Sequence, residues 1–310
     1  MTIERFPILP GEAGRAEWLA RRATDITASV VGALLTEHPY VTPLRLWAAQ
    51  RGTEFEVKPE NKRMRRGRKL ERLVGEEVEE LRPTWQVTPV GHYYRDPELR
   101  LGATPDFWIL GDERGTGVLQ AKTAGPDVIA KQWDAGRVPP PWIQWQLVCE
   151  MLLTDAAFGA IAVLDPFNWD CHIIEFERDP APERLLTTMV REFWRLVELG
   201  IEPTVDLERD TATIKALHPL ETPGKIVDLS GSNELREMLE ARAVMLDSIK
   251  AYKARCEVVE NQLRLLLRDA EQVAGLDGWK ITYKTEHVAE YTVKEKNRRV
   301  LRILDKREIP

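Results

Sequence analysis

Cysteine is scarce and disordered in its spacing. Cys149, Cys171 and Cys256 are three in 310 residues, odd in number and without any CxxC pair. That excludes a disulfide framework and a thiolate zinc site, and it leads us to expect a reducing cytoplasm. No run of 18 or more apolar residues occurs, so a membrane-spanning helix is not expected. The opening MTIERFPILPGEAGRAEW has no apolar core followed by a small-residue cleavage site, so no signal peptide is expected either. Neither GxGxxG nor a Walker sequence is present, which leaves nucleotide hydrolysis without support. The five histidines (His38, His92, His172, His218, His287) show no HxH or HExxH spacing, so a histidine metal site is not expected. There is no internal repeat and no low-complexity tract.

What is present is an ordinary globular composition: 43% hydrophobic, 30% charged, and a chain long enough to bury a full core. The net charge of −6 does not announce a nucleic-acid binder. Residues 62–72, KRMRRGRKLER, nevertheless carry seven Lys/Arg against one Glu. Such a run is either a solvated helix face or the wall of a basic groove. In the second case the acidic exterior would confine DNA to that groove.

Periodicity gives the organisation. Residues 17–35 read as two short helical pieces, with Asp25 or Thr27 as a cap for the second. Residues 43–51 form a short helix opened by Pro43, and 61–81 a longer one ended by Pro83. Strands are expected at 84–95, 103–110 and 116–122, with the turn cluster GDERGTG before the last. WIQWQLVCEMLLT reads as a buried helix, FGAIAVL and CHIIEF as strands, and APERLLTTMVREFWRLVELG as a helix stopped by Gly200. The order predicts an α/β core with a mixed central sheet flanked by helices. Residues 201–231 are broken by Pro203, Pro219, Pro223, Gly224 and Gly231 and read as a linker or irregular segment. Beyond it, 232–310 holds a long helix at 233–272 with Leu235, Leu239, Leu246, Ile249, Cys256, Val259, Leu263 and Leu267 on a seam. That seam packs back on the core or meets a helical partner. A strand or hairpin follows at 278–293.

The stretch LGATPDFWILGDERGTGVLQAKTA, residues 101–124, carries the chemistry. Gln120 and Lys122 share one face of a strand, because side chains alternate. Asp106 comes opposite them by antiparallel pairing. Oxygens so placed suit Mg²⁺, which takes hard oxygen ligands, activates water and stabilises charge on a scissile phosphate. The lysine orients that water or assists the charge stabilisation. Ordinary polar side chains on a hairpin would look the same. Of the ten tryptophans, Trp133, Trp142 or Trp145 could stack on DNA, but core packing is the expected fate of most. Glu76, Glu77, Glu79 and Glu80 read as a solvated helix face, though one could reach the metal.

Five segments in order, WLARRATDITAS, MRRGRKLE, GATPDFW, VLQAKT and WIQWQ, cover about residues 15–200 and change the weighting. Together they resemble the lambda-exonuclease and YqaJ-like phage recombinase family of the PD-(D/E)xK nuclease superfamily. The C-terminal KITYKTEHVAEYTVKEKNRRVLRIL also looks like the tail of prophage members. The resemblance implies a restriction-endonuclease-like nuclease core over 1–200, with a helical C-terminal extension. It implies Glu71, Asp106 and position 120 as metal ligands, for Mg²⁺ or in substitution Mn²⁺, and Lys122 as the motif lysine. Gln144 or Gln146 would stand near the nucleophilic water or the metal. Arg22 would hold a 5′ phosphate, helped by Thr27 and Ser29 at a helix start, with Arg66 and Arg68 as further DNA contacts.

The activity so implied is 5′→3′ digestion of one strand of linear duplex DNA from 5′-phosphorylated ends. A homotrimer, encoded by a phage or prophage and working in the host cytoplasm, would pass the 3′ overhang to a single-strand annealing protein. Gln120 departs from the family's Glu: it is nearly isosteric but neutral, and its NH₂ cannot ligate a cation. It is either an engineered change that disables cutting or a natural variant, the former being favoured because every other motif position is intact. A catalytically inactive DNA-end binding protein and an endonuclease of the same superfamily are the competing readings.

Overall fold

The computed structural model describes residues 2–35, 38–55, 61–275, 277–287, 301 and 303. The chain divides into two compact units, Met1–His218 and Pro219–Pro310. Among the described residues no helix is long and apolar enough to cross a membrane.

The first unit is built on a five-stranded mixed sheet of β3 (Gln86–Pro89), β6 (Phe107–Asp112), β7 (Gly115–Thr123), β8 (Phe158–Leu164) and β9 (Cys171–Glu177), in that spatial order. β7 and β8 run parallel, with Gln120 opposite Ile161 and Lys122 opposite Val163. The other pairings are antiparallel. Every residue of β8 is buried, as the unbroken apolar run FGAIAVL requires of a strand covered on both faces. Alternation along β7 sends Leu119 into a cluster with Val74, Val78 and Phe107. It sends Val118 into another cluster with Ile143, Leu147 and Met151. Those clusters dock α4 (Lys62–Leu81) on one face and α6 (Pro141–Thr154) on the other. The Asn61 side chain caps α4 by accepting from the Met64 N–H at 2.9 Å.

A second sheet, in the order β1 (Glu4–Pro7), β4 (His92–Asp96), β5 (Leu101–Ala103) and β2 (Ile26–Thr27), lies beside α6. The single strand expected at 84–95 is therefore two strands in different sheets. Gly91, at φ 63, turns the chain from β3 into β4. The two helical pieces expected in 17–35 are α1 (Gly11–Arg22) and a single turn, α2 (Ala28–Val31), separated by β2. Asp25 caps nothing. It is buried, accepting from the Tyr93 hydroxyl at 2.8 Å and from Arg95 Nε at 2.7 Å. Thr27 occupies the cap position of α2 without a side-chain cap bond. The helices expected at 43 and 180 are α3 (Pro43–Gln50) and α7 (Pro180–Leu199), the latter stopped by Gly200 at φ 67. Trp133 goes into the core.

The stretch read as linker contains a helix, α8 (Thr211–Leu217), after a short α5 (Pro126–Gln132) earlier in the chain. Buried Asp210, which accepts from the Thr42 hydroxyl, ties the start of α8 to the start of α3 within the first unit. In the second unit α9 (Asn233–Leu267) forms as expected, with Ser232 accepting from the Leu235 N–H at 3.1 Å. Its seam is open: Leu239, Leu246, Ile249, Cys256, Val259 and Leu263 are all exposed. The strand expected at 278–293 lies partly outside the described residues. Its described part forms one isolated bridge, Gln272 to Thr282.

Gly102 in β5 has no room for a side chain, since a Cβ there would stand 1.8 Å from the Tyr93 hydroxyl oxygen. Gly102→Ala should displace that hydroxyl from Asp25 and destabilise the protein by about 1–3 kcal/mol. A urea midpoint lowered with unchanged slope is the expected result, and an unshifted midpoint would contradict the packing described.

Candidate active site

β7 delivers Gln120 and Lys122 to one face of the sheet. The bend before β6 delivers Asp106, and α4 delivers Glu71. All four line one cleft of about 750 Å³, together with Arg22, Arg68 and Gln146. The polar contacts form a chain. Lys122 Nζ donates to Gln146 Oε1 at 3.1 Å, and Gln146 Nε2 donates to Gln120 Oε1 at 2.6 Å and to Glu150 Oε1 at 2.9 Å. Gln120 Nε2 in turn donates to Asp106 Oδ2, which also accepts the Ala121 N–H at 2.8 Å.

Both amide orientations are set by chemistry. Rotating Gln146 would turn its NH₂ toward an ammonium and its oxygen toward a carboxyl group. Rotating Gln120 would put NH₂ against NH₂ and oxygen against a carboxylate.

Electrostatics explain the cleft's character. Burial first, and then the Glu71 charge, push the Asp106 carboxyl above the usual carboxylate range, with Lys122 and the Ala121 N–H opposing. Glu71 is likewise raised by burial, against the pull of Lys122 and Arg68. Glu150, wholly buried, is raised by burial and by Asp106, and its Oε2 meets no partner among the described residues. Two carboxylates crowded together under burial are a donor set that a divalent cation would relieve. The third position is neutral Gln120, and among the described residues no group of three or more His, Cys, Asp or Glu is arranged to hold a metal. Glu71 and Asp106 thus fit a cation, and position 120 weakens the set.

Arg22 approaches from α1. It lies 4.3 Å from the centre of the Trp18 ring and donates to Ser29 Oγ at 3.2 Å and, at the outer limit, to Thr104 Oγ1 at 3.5 Å. Thr27 and Ser29 share a hydrogen bond of 3.0 Å. Burial lowers the Arg22 pKa. A sequestered cation held by hydroxyls and an indole, with no carboxylate among the described residues hydrogen-bonded to it, is arranged for an anion. The four-residue α2 contributes hydroxyls to this arrangement rather than a long helix start.

Two expected residues are not brought in. Gln144 turns away, donating to the Pro139 carbonyl at 2.7 Å, which leaves Gln146 as the glutamine of the site. Arg66 lies outside the cleft lining, 5.5 Å from the centre of the Phe167 ring. The sequence reading missed Glu150, Trp18 and Thr104. The first two were signalled by spacing: Glu150 is four residues after Gln146 in an otherwise apolar helix, and Trp18 is four before Arg22.

The NH₂ of Gln120 sits where a cation or proton would have to lie between two carboxylates. Gln120→Glu should therefore lower stability in EDTA by about 1–3 kcal/mol, the cost of a buried acceptor losing its donor. Millimolar Mn²⁺ or Mg²⁺ should restore it by mass action, at about 2–4 °C in Tm per kcal/mol. The parent chain should respond much less. Equal metal responses in a thermal-unfolding comparison would remove Gln120 from the cation site.

Residues 17–157 match the family described as the YqaJ-like viral recombinase domain. No curated protein matches the chain. Among solved structures, LHK-Exo in complex with dAMP is 25% identical with a TM-score of 0.50, covering 64% of this chain and 99% of that one. The same alkaline exonuclease, from Laribacter hongkongensis, matches in a second structure at 25% identity and a TM-score of 0.49, with the same coverage. A phage-related exonuclease from Haemophilus somnus 129PT is 11% identical, with a TM-score of 0.42 over 57% of this chain and 95% of that one. The fold is a mixed α/β core like that of LHK-Exo, of the PD-(D/E)xK type, and within it residues 17–157 are similar to the YqaJ-like viral recombinase domain.

Proposed function

We propose that the protein is a nuclease of phage-type recombination: a Mg²⁺-dependent exonuclease that digests one strand of linear duplex DNA from a 5′-phosphorylated end. In this reading Gln120 impairs cutting. The observation that carries it is the convergence of Glu71, Asp106, Gln120, Lys122 and Gln146 in one cleft with Arg22. The similarity to an exonuclease solved with a mononucleotide, dAMP, supports it. The ring-shaped homotrimer and the annealing partner implied by the family resemblance are part of the same proposal.

Each residue has a task. Glu71 and Asp106 would hold the cation, which when bound would acidify a water and offset charge on the scissile phosphate. Lys122, kept in place by Gln146 Oε1, presents its ammonium to the phosphate oxygens. Arg22, backed by Ser29 and Thr104, binds the terminal phosphate and so sets the register of the strand. Trp18 walls that arginine from water on one side. With Gln120 the donor set is one charge short, so the cation binds more weakly and the bound end outlasts cleavage.

A second reading, an end-binding protein without catalysis, is favoured by the hydrogen bond from the Gln120 NH₂ to Asp106. Gln120→Glu on 5′-phosphorylated linear duplex with Mg²⁺ separates the two. Release of mononucleotides at a rate at least tenfold above the parent is expected, tenfold corresponding to about 1.4 kcal/mol of barrier. If the restored protein releases none, the exonuclease reading fails, and nicking of closed circles would instead identify an endonuclease. In the restored enzyme Arg22→Ala should reduce the preference for 5′-phosphate over 5′-hydroxyl ends by about tenfold, the scale of one charge-assisted contact. An unchanged ratio would remove Arg22 from that role.

A further inference from the structure

The hairpin loop between β8 and β9, DPFNWD at 165–170, leaves a large aromatic ring in water beside the cleft: Phe167 is 70% exposed. The loop is firmly built around that exposure. Buried Asp165 accepts from the Phe167 N–H at 2.9 Å and from Asn168 Nδ2 at 2.8 Å, and its backbone closes bonds to Trp169 and Asp170, both 2.8 Å. Trp169 takes the left-handed conformation, φ 62, which is rare for a bulky side chain. Its indole N–H is fastened to Glu77 of α4 at 2.8 Å. Strain and ordering of this kind in a loop that buries no aromatic ring point to a surface held ready for a ligand.

Position says which ligand. A Cβ on Gly125 would stand 3.5 Å from the Phe167 ring, so the ring lies over the turn that follows β7, three residues beyond Lys122. A second cavity of about 380 Å³ runs between α4 and the end of β7, lined by Arg63, Met64, Gly67, Glu71, Lys122 and Thr123. It shares Glu71 and Lys122 with the main cleft. Met64, 59% exposed, offers a further apolar surface there, and the guanidinium of Arg66 lies 5.5 Å from the Phe167 ring. Cationic and apolar groups alternate along this path out of the carboxylate site. Arginines that track phosphates and flat apolar groups that take base faces are the composition of a single-strand nucleic-acid track.

We propose that the β8–β9 loop is a base-stacking platform, with Phe167 receiving a nucleobase of the DNA strand that passes along the α4–β7 groove next to the carboxylates. The assignment rests on the DNA-end reading above and extends it to a named contact. Phe167 supplies the π-face, Met64 the apolar floor, and Arg63 and Arg66 the phosphate contacts. Stacking reads no particular base, so the track tolerates any sequence.

The test uses the full chain in EDTA, where no strand is cut. The probe is a 5′-phosphorylated linear duplex with a short 3′ extension and 2-aminopurine placed in turn at each nucleotide near the end. At one or more positions binding should quench the 2-aminopurine. Phe167→Ala should abolish that quenching and weaken binding about tenfold, within the range of a base–aromatic stack. Phe167→Trp should keep both, and Arg66→Gln should weaken binding while keeping the quench. Because Phe167 is exposed, the alanine variant should unfold at the parental temperature. Phe167→Ala binding and quenching like the parent overturns the proposal. So does a change in sedimentation with unaltered DNA binding, which would make Phe167 a subunit contact. A parent chain that binds no DNA end at all would instead strike the end-binding reading itself.

Discussion

A carboxylate buried beside another carboxylate requires a cation, a proton or a strong donor between them, and that constraint organises the first unit. Asp106, Glu71 and Glu150 are all drawn upward in pKa by burial, and Asp106 lies on the electrostatic path between the other two. The protein answers with one ammonium and two amides. Lys122 fixes Gln146, Gln146 fixes Gln120, and Gln120 satisfies Asp106. Glu150 acts at the far end by accepting from Gln146, so the rotation of one buried amide couples the lysine to the carboxylate. Desolvation makes each of these bonds costly to leave unmade, so the cleft has one internally consistent arrangement.

The two sheets divide the labour. The five-stranded sheet carries the carboxylates and Lys122 on β7 and the bend before β6. The four-stranded sheet positions the arginine side through a separate buried charge, Asp25, held by Tyr93 and Arg95. Asp25 stands immediately before Ile26 and Thr27, which pair with Leu101 and Gly102 of β5. It therefore sets where the chain turns into Ser29, the partner of Arg22. A close approach at Gly32, where a Cβ would meet the Trp142 backbone at 2.9 Å, presses this segment against the start of α6. Gln146 lies one turn further along that helix. The Arg22 side and the carboxylate side of the cleft are thus joined through α6.

How much of this was legible follows from which interactions are local. The two-residue period of β7 placed Gln120 and Lys122 on one face, and the apolar run of β8 marked a strand covered on both sides. Gln144 and Gln146 could not be told apart. They lie about 200° apart around a helix whose rotation is decided by Ile143, Leu147 and Met151 packing on the sheet. Glu150 carried a readable signal, an acid four residues from a glutamine in an apolar helix, but its burial is tertiary. The division of 84–95 between two sheets turned on a single positive-φ glycine within an otherwise uninterrupted strand pattern. The role of Asp165 was local and could have been read, since an Asp followed by Pro and Asn favours a side-chain-closed turn.

Gln120 takes its meaning from the same constraint. A glutamate there would add another acid to a cleft whose carboxyl groups already resist ionisation, and the fold would then lean on a bound cation to hold Asp106 and residue 120 together. Glutamine removes that dependence. Its NH₂ supplies the donor to Asp106, and its oxygen accepts from Gln146. Lys122 and Arg22 keep their places, because neither bonds to residue 120. The placement of Lys122 and Arg22 thus depends on no bond to residue 120. On the proposed reading, one nitrogen in place of one oxygen would uncouple holding a DNA end from cutting it, since a near-isosteric side chain at position 120 preserves the contacts of the cleft.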